Sequence, residues 1–330
     1  MKDAIFKGSA VAIVTPMDSH GNLDFKAMEK LLKFQLENGT DAIVVNGTTG
    51  ESATLEEKEK LELIEFVVHY VNHRVPVIMG TGSNCTSQAV RLSRKAQSLG
   101  ASALLQVTPY YNKTSQHGLV EHFTAVADSV EIPIILYNVP SRTGVNISPE
   151  TYLKLSEHPN IRAVKEAGGN ISSIAKTAAL CGDRLDLYSG NDDQIVPILS
   201  LGGKGVISVL ANIMPFETHM ICQYFFEGEI EKSRNMQLEM LAMMNALFMD
   251  VNPVPVKAAL SLLELCEESY RLPLTCMKDK DKETLKQVMK SYFPHLQDSS
   301  LQRLNLLSFQ LHSCFRRAIF ILLNKGGRMS

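Results

Sequence analysis

The sequence predicts an α/β protein, a (β/α)8 TIM barrel with a C-terminal helical domain, on three observations. Short runs rich in Val, Ile and Leu alternate with longer segments of helical period, eight such runs fit before residue 211, and the alternation stops after Pro215. The strand candidates in order are 10–15, 42–46, 75–80, 103–108, 132–138, 161–166, 185–189 and 205–210. Helical patterns lie between them at 25–36, 55–71, 87–99, 119–130 and 172–180, several entered through a Ser, Thr or Asp suited to capping. Beyond Pro215 the chain reads helical at 217–227, 230–249, 255–266 and 282–292. The expected division is a catalytic barrel at 1–228, a helical domain at 229–293 and an atypical basic extension at 294–330. That last segment holds five Lys or Arg against one Asp and lacks clear caps. It reads as an extension outside the core, with a basic amphipathic contact helix as the second reading.

With 330 residues, 45% hydrophobic and 21% charged, the chain can bury one large core and a smaller appendage. A net charge of -2 carries no basic field for nucleic acid, so a small molecule is the expected partner. Cys85, Cys181, Cys222, Cys266, Cys276 and Cys314 form no C-x-x-C pair, as expected of reduced thiols in the cytoplasm. Residues 1–15 show no small-residue cleavage site, and no apolar stretch nears the roughly 20 residues of a membrane span. No membrane partner is expected.

In barrel enzymes the reacting groups gather at the C-terminal ends of the strands. The second strand ends in Asn46-Gly47-Thr48-Thr49-Gly50-Glu51-Ser52. Its glycines let backbone N–H groups approach an anion, and its hydroxyls can bind a carboxylate or pass a proton; the alternative is a plain turn with an N-cap. The sixth strand places Lys165 two residues after Ala163, on the same face by the period of two. A lysine so buried must be neutral to attack a ketone, and lowering its pKa from about 10.4 to about 7 takes roughly 4 to 5 kcal/mol. Barrel interiors suit imine-forming lysines for that reason; the alternative is a lysine that snorkels outward or pairs with Glu166.

The fifth strand delivers Tyr137, followed by Ser141-Arg142-Thr143-Gly144. A phenol there can shuttle protons, and a loop arginine suits bidentate capture of a carboxylate; singly, each also fits a core aromatic and a surface arginine. The fourth strand closes with Thr108-Pro109-Tyr110-Tyr111-Asn112, whose tyrosines fit a proton relay, a subunit contact or simple packing. His69 and His73, and Asn191-Asp192-Asp193, lack the third ligand and the base of a metal site, so no metal is expected. Gly202-Gly203-Lys204-Gly205 lacks P-loop spacing, and no cofactor is implied.

In order along the chain, these motifs resemble the dihydrodipicolinate synthase family. The matching segments are Gly47-Thr48-Thr49-Gly50-Glu51-Ser52, Thr108-Pro109-Tyr110-Tyr111-Asn112, Tyr137 through Gly144 and Lys165-Glu166-Ala167-Gly168-Gly169-Asn170. Residues 202–212 and Asn252-Pro253-Val254-Pro255-Val256-Lys257 continue the likeness, which spans about 3–293. The resemblance implies a Schiff-base lyase in which Lys165 forms the imine with pyruvate and Thr48 and Thr49 hold the pyruvate carboxylate. It implies a proton relay of Tyr137, Thr49 and Tyr111, with Tyr111 reaching into a neighbouring subunit's site. Gly190 and Ile207 would supply backbone groups around Lys165, and Arg142 would bind the carboxylate of L-aspartate 4-semialdehyde. The implied product is 4-hydroxy-tetrahydrodipicolinate, in diaminopimelate and lysine biosynthesis. The implied assembly is a homo-oligomer, a tetramer as a dimer of dimers or a dimer.

N-acetylneuraminate lyase and the keto-deoxy sugar acid aldolases share the lysine and tyrosine and form the alternative. A polyhydroxylated substrate calls for hydroxyl-binding groups, whereas Arg142 beside the threonine loop offers a carboxylate clamp. The family's feedback site for L-lysine maps to Ser52, Ala53, Asn84 and Tyr110, but Glu57, Lys60 and Gln88 stand at its other ligand positions. The ammonium of Lys60 would repel the effector's own cation, so weak or absent inhibition is expected.

Overall fold

Apolar runs of four to six residues, buried along most of their length, form eight parallel strands in the computed structural model, which describes residues 3–297. The order is β1 (Gly8–Ala12), α1 (Phe25–Glu37), β2 (Ala42–Val45), α2 (Glu57–Val71), β3 (Val77–Gly80), α3 (Thr86–Ser98), β4 (Ala103–Val107) and α4 (Gln116–Ala127). It continues with β5 (Ile134–Asn138), α5 (Pro140–Thr143), α6 (Pro149–Leu155), β6 (Ile161–Glu166), α7 (Ile171–Cys181), β7 (Asp186–Ser189), α8 (Ile195–Ser200) and β8 (Gly205–Ser208). The strands pair in chain order and β8 returns to β1, closing the barrel. All eight strand positions read from the sequence are occupied.

Each difference in the element bounds has a local cause. β1 starts at Gly8, earlier than apolar periodicity indicates, because ladder pairing with Gly205 uses only backbone. α2 starts at Glu57 because Glu56 and Glu59 form a capping box, the Glu56 N–H donating to Glu59 Oε2 at 2.8 Å. The short helices α5, α6 and α8 were absent from the sequence reading; at four to seven residues they show too little period to register.

The interior of the barrel follows the period of two. Ala10 and Ala12, Ala42 and Val44, Ala103 and Leu105, and Ile135 and Tyr137 join Ala163, Tyr188 and Ile207 in one buried cluster. The cluster mixes small residues from some strands with large ones from others, as close packing of a barrel interior requires. At the N-terminal end Phe6 stacks on Tyr188 with ring centroids 4.2 Å apart, and the Tyr188 hydroxyl donates to the Phe6 carbonyl at 2.6 Å.

After the barrel come α9 (Pro215–Phe226), α10 (Ile230–Ala246), α11 (Val254–Leu262) and an irregular stretch to Lys278. These belong to the first of two compact units; the second begins at Asp279 with α12 (Asp279–Lys290). In α12 Asp279 and Asp281 occupy the first turn and Lys290 the last, the arrangement the helix dipole favours. The basic extension expected at 294–330 lies outside the described residues beyond Gln297. Among the described residues no helix is long and apolar enough to cross a membrane.

The segment after α10 is tied to the loop after β2 by buried charge. Lys257 Nζ lies 2.6 Å from Glu51 Oε1, and both side chains are fully buried. The same ammonium donates to the Ser269 carbonyl and sits 5.1 Å from the Tyr270 ring centroid. Arg271 adds a second tie, bonding Glu59 on α2 and the Gly21 carbonyl.

Two stability predictions follow from closure and from this pair. A Cβ at Gly205 (φ 152°) would lie 1.8 Å from the Gly8 carbonyl oxygen, so Gly205→Ala should cost about 3 kcal/mol or more. An unchanged urea midpoint would show that the seam tolerates a side chain. Lys257→Met should cost about 3–5 kcal/mol by stranding the Glu51 carboxylate, and adding Glu51→Gln should recover most of it. Equal loss in the single and double variants in urea unfolding would rule that explanation out.

Candidate active site

The chain turns from β2 into α2 through two left-handed residues, Asn46 (φ 57°) and Glu51 (φ 54°). Gly50, Glu51 and Ser52 donate their N–H groups back to Gly47, Thr48 and Gly47 at 3.1, 3.0 and 3.4 Å. Gly80 makes room for the turn, since a Cβ there would lie 2.2 Å from the Asn46 carbonyl oxygen. Among the described residues no acceptor takes the N–H of Thr48 or Thr49, which leaves two adjacent donors at the strand end.

The two threonine side chains have different partners. Thr48, half-buried, lies beside the Tyr137 phenol and acts to lower its pKa. Thr49, buried, accepts a 3.0 Å bond from Asn252 Nδ2. Of the two threonines, Thr48 is the one beside the Tyr137 phenol, while Thr49 accepts from the segment preceding α11.

Parity along β6 places Lys165 where the sequence expects it. Ala163 lies in the barrel core, and Lys165 follows two residues later, in register with Tyr137 on β5 and Tyr188 on β7. The lysine is 6% exposed, with Nζ 4.5 Å from the Tyr137 ring centroid. Burial holds its pKa down to about 8; Asp192 acts in the opposite sense and Arg142 in the same sense as burial. Burial also raises the Tyr137 phenol, against smaller downward effects of Thr48 and Arg142. Glu166, one residue on, has partners of its own: Asn138 Nδ2 at 2.9 and 3.1 Å, the Gly168 N–H at 2.7 Å and the Tyr152 hydroxyl at 3.0 Å. The alternative of a Lys165–Glu166 pair is thereby excluded.

Gly190 and Arg142 complete the surroundings of Lys165. A Cβ at Gly190 would lie 2.8 Å from Ala167 Cβ and 3.2 Å from Lys165 Cε, so only glycine lets the chain after β7 lie against the lysine. Ile207 on β8 is fully buried in the same core cluster as Tyr137. Arg142, exposed on α5, donates through Nη2 to the Asn252 carbonyl at 3.3 Å. Asn252 thus joins the Thr49 loop to Arg142.

A cavity of about 510 Å3 opens over this region, walled by Thr48, Tyr137 and Arg142 and also by Ser52, Lys60 and Tyr110. Ala53 lines it as well, while Asn84 is held nearby through the bond from Asn112 Nδ2 to its carbonyl at 3.0 Å. Tyr111 is 91% exposed and adopts a left-handed conformation (φ 70°). Glu57 pairs with Arg91 and Lys95, both at 2.7 Å, and these bonds hold its carboxyl down at about 2. Burial lowers the Lys60 ammonium, which has no ion pair within 4 Å among the described residues.

Two residues of this constellation escaped the sequence reading of roles. Asp192 was weighed only as a metal ligand, though its place two residues past Gly190 marks it as a strand-end group. Asn252 lies far along the chain in a helical region, and nothing local announces that it returns to the barrel.

Comparison with known proteins agrees with this geometry. The model of the dihydrodipicolinate synthetase family matches residues 5–292. The 4-hydroxy-tetrahydrodipicolinate synthase of Caldicellulosiruptor saccharolyticus is 57% identical over 288 residues, 87% of this chain and 97% of that protein. That of Clostridium novyi is 51% identical over 288 residues, with the same shares covered. Among solved structures, the dihydrodipicolinate synthase of Thermotoga maritima is similar with a TM-score of 0.86 and 41% identity, covering 87% of this chain and 99% of that one. A monomeric dihydrodipicolinate synthase variant is similar at a TM-score of 0.85 and 41% identity, covering 87% and 96%. With a family model spanning most of its length and relatives above half identity, the chain belongs to the dihydrodipicolinate synthetase family.

Proposed function

We propose that this chain is a 4-hydroxy-tetrahydrodipicolinate synthase, a cytoplasmic lyase of the diaminopimelate–lysine route that condenses pyruvate with L-aspartate 4-semialdehyde. The observation that carries this reading is Lys165, buried on the inner face of the barrel with its pKa down at about 8, against Tyr137 and within the influence of Arg142. An amine in that state is partly neutral at physiological pH and can attack a ketone.

The two unengaged N–H groups of Thr48 and Thr49 receive the pyruvate carboxylate, which directs C2 toward Lys165. Nζ adds to C2; the carbonyl oxygen leaves as water with one proton taken up, and the cationic imine remains. Loss of a C3 proton gives the enamine, whose C3 bonds to the aldehyde carbon of the second substrate. Tyr137 moves these protons, with Thr48 beside its phenol and Thr49 next in the same loop. Arg142 holds the carboxylate of the semialdehyde, and the substrate's own amine then displaces Lys165 and closes the ring. Tyr111, 91% exposed, completes the relay from a second copy of the chain in a homo-oligomer, a dimer or a dimer of dimers.

The reading is tested by following pyruvate consumption by mass spectrometry with the semialdehyde or with N-acetylmannosamine as acceptor. Consumption should occur with the semialdehyde alone, and Arg142→Ala should lower kcat/KM for it about 100-fold while leaving borohydride trapping of pyruvate on Lys165 intact. Consumption with the sugar alone would move the assignment to the sialic-acid and sugar-acid aldolases. The kcat/KM for pyruvate should fall about tenfold per pH unit below a midpoint near 8, since only the neutral amine attacks. L-lysine should inhibit weakly or not at all, given Lys60 in the cavity wall and Glu57 already paired. A sub-millimolar inhibition constant would contradict that.

A further inference from the structure

One buried carboxylate beside the site has no part in the steps above. Asp192 is 3% exposed, and its Oδ2 accepts from the N–H groups of Val209 at 3.1 Å and Leu210 at 2.9 Å. The Ser208 hydroxyl also favours the ionised form of this carboxyl. These donors directly follow Ile207, and Asp192 itself follows Gly190 by two residues, so it ties the stretch that lies against Lys165 to the end of β8. Its other oxygen, Oδ1, is buried and has no hydrogen-bond partner among the described residues.

Burial raises the pKa of the Asp192 carboxyl, and Ser208, the Leu210 and Val209 N–H groups and the charge of Lys165 act in the opposite sense, toward the carboxylate. Among the described residues Lys165 is the cation that interacts with it through space, at more than ion-pair distance. The other titratable groups facing the pair do not serve. Cys222 on α9 faces Asp192 as a buried thiol, Tyr137 and Tyr188 flank Lys165 as buried phenols, and Arg142 acts on Lys165 with like charge.

We propose that Asp192 is a positioning residue that acts as the fixed counter-charge of the Lys165 nitrogen, holding the cationic imine in place while its bonded oxygen locks the backbone at Gly190 and Ile207. The inference rests on the imine reading of Lys165. The nitrogen is positive in the ammonium and in the imine but neutral in the free amine and in the enamine. A buried anion therefore favours the first two equally. It makes imine formation favourable at a pH where the starting amine is already neutral, and it does so without occupying the space that pyruvate needs.

The test is Asp192→Asn, close to isosteric, with pyruvate affinity measured by borohydride trapping and mass spectrometry across pH. Below the lysine midpoint a cation replaces a cation, so the affinity of the variant should match the native protein. Above it, at about pH 9, affinity should fall about tenfold, and the pH at which affinity begins to decline should move down by about one unit. A purely structural role would weaken binding equally at every pH and leave the break where it was; that result overturns the proposal. Absence of trapping in the native protein would instead sink the imine reading itself.

Thermal melting of Asp192→Asn, Lys165→Met and the double variant checks the same coupling. The double variant should melt higher than the sum of the two single shifts indicates. If the asparagine chain fails to fold with or without Lys165, Asp192 is a structural anchor alone and the proposal falls.

Discussion

Pairing of β1 with β8 is the constraint on which the rest of this molecule depends. Once the seam at Gly8 and Gly205 closes, every strand has two neighbours, and the choice of inner or outer face is settled for each residue by its parity. Ala163 and Lys165 point inward together, and so do Ile135 and Tyr137. Parallel pairing sends all eight C-terminal ends to one side. Thr48, Tyr137 and Arg142 then meet in one cavity wall, and Lys165 lies behind it against the Tyr137 ring and Gly190, without any long loop having to carry them there.

Two buried lysines show how the same side chain is put to opposite uses. Lys257 is fully buried against Glu51 at 2.6 Å, with a backbone carbonyl and an aromatic ring as further neighbours. It is a structural cation, joining the segment that carries Asn252 to the loop that carries Thr48 and Thr49. Lys165 has no carboxylate within 4 Å among the described residues and packs on a phenol ring. Its burial shifts the balance toward the neutral amine, on the order of 3 kcal/mol for a fall from 10.5 to about 8. The native state binds fewer protons at Lys165 than the unfolded chain between those values. The resulting penalty on stability is present at neutral pH and shrinks as the pH rises through that window. The barrel thus carries a destabilising group in its interior, and the reactivity of that group is the return.

The loop after β2 illustrates how far local sequence can be read. Its glycines and paired threonines announce a turn that exposes backbone donors, and the structure contains such a turn. Which hydroxyl meets Tyr137 was not legible there. Thr48 stands beside the phenol, and Thr49 accepts from Asn252, about 200 positions later. Asp192 was hidden for a related reason: its significance lies in Val209 and Leu210 on the far side of β8, and a carboxylate next to another carboxylate looks first like a metal ligand. The helices α5, α6 and α8 went unread because they are too short to show a period.

Sequence alone determined the number of strands, the face on which Lys165 lies and, through motif resemblance, the family. These are properties of period, composition and order along the chain, and they survive without any knowledge of what touches what. Tertiary structure decided the partner of each polar group: Thr48 for Tyr137, Asn252 for Thr49 and Arg142, Lys257 for Glu51, and the backbone beyond β8 for Asp192. Those pairings hang on distances of about 3 Å between residues far apart in sequence. A hydrogen bond is lost over a fraction of an ångström, so only the closed barrel, with its C-terminal segment in place, can select them.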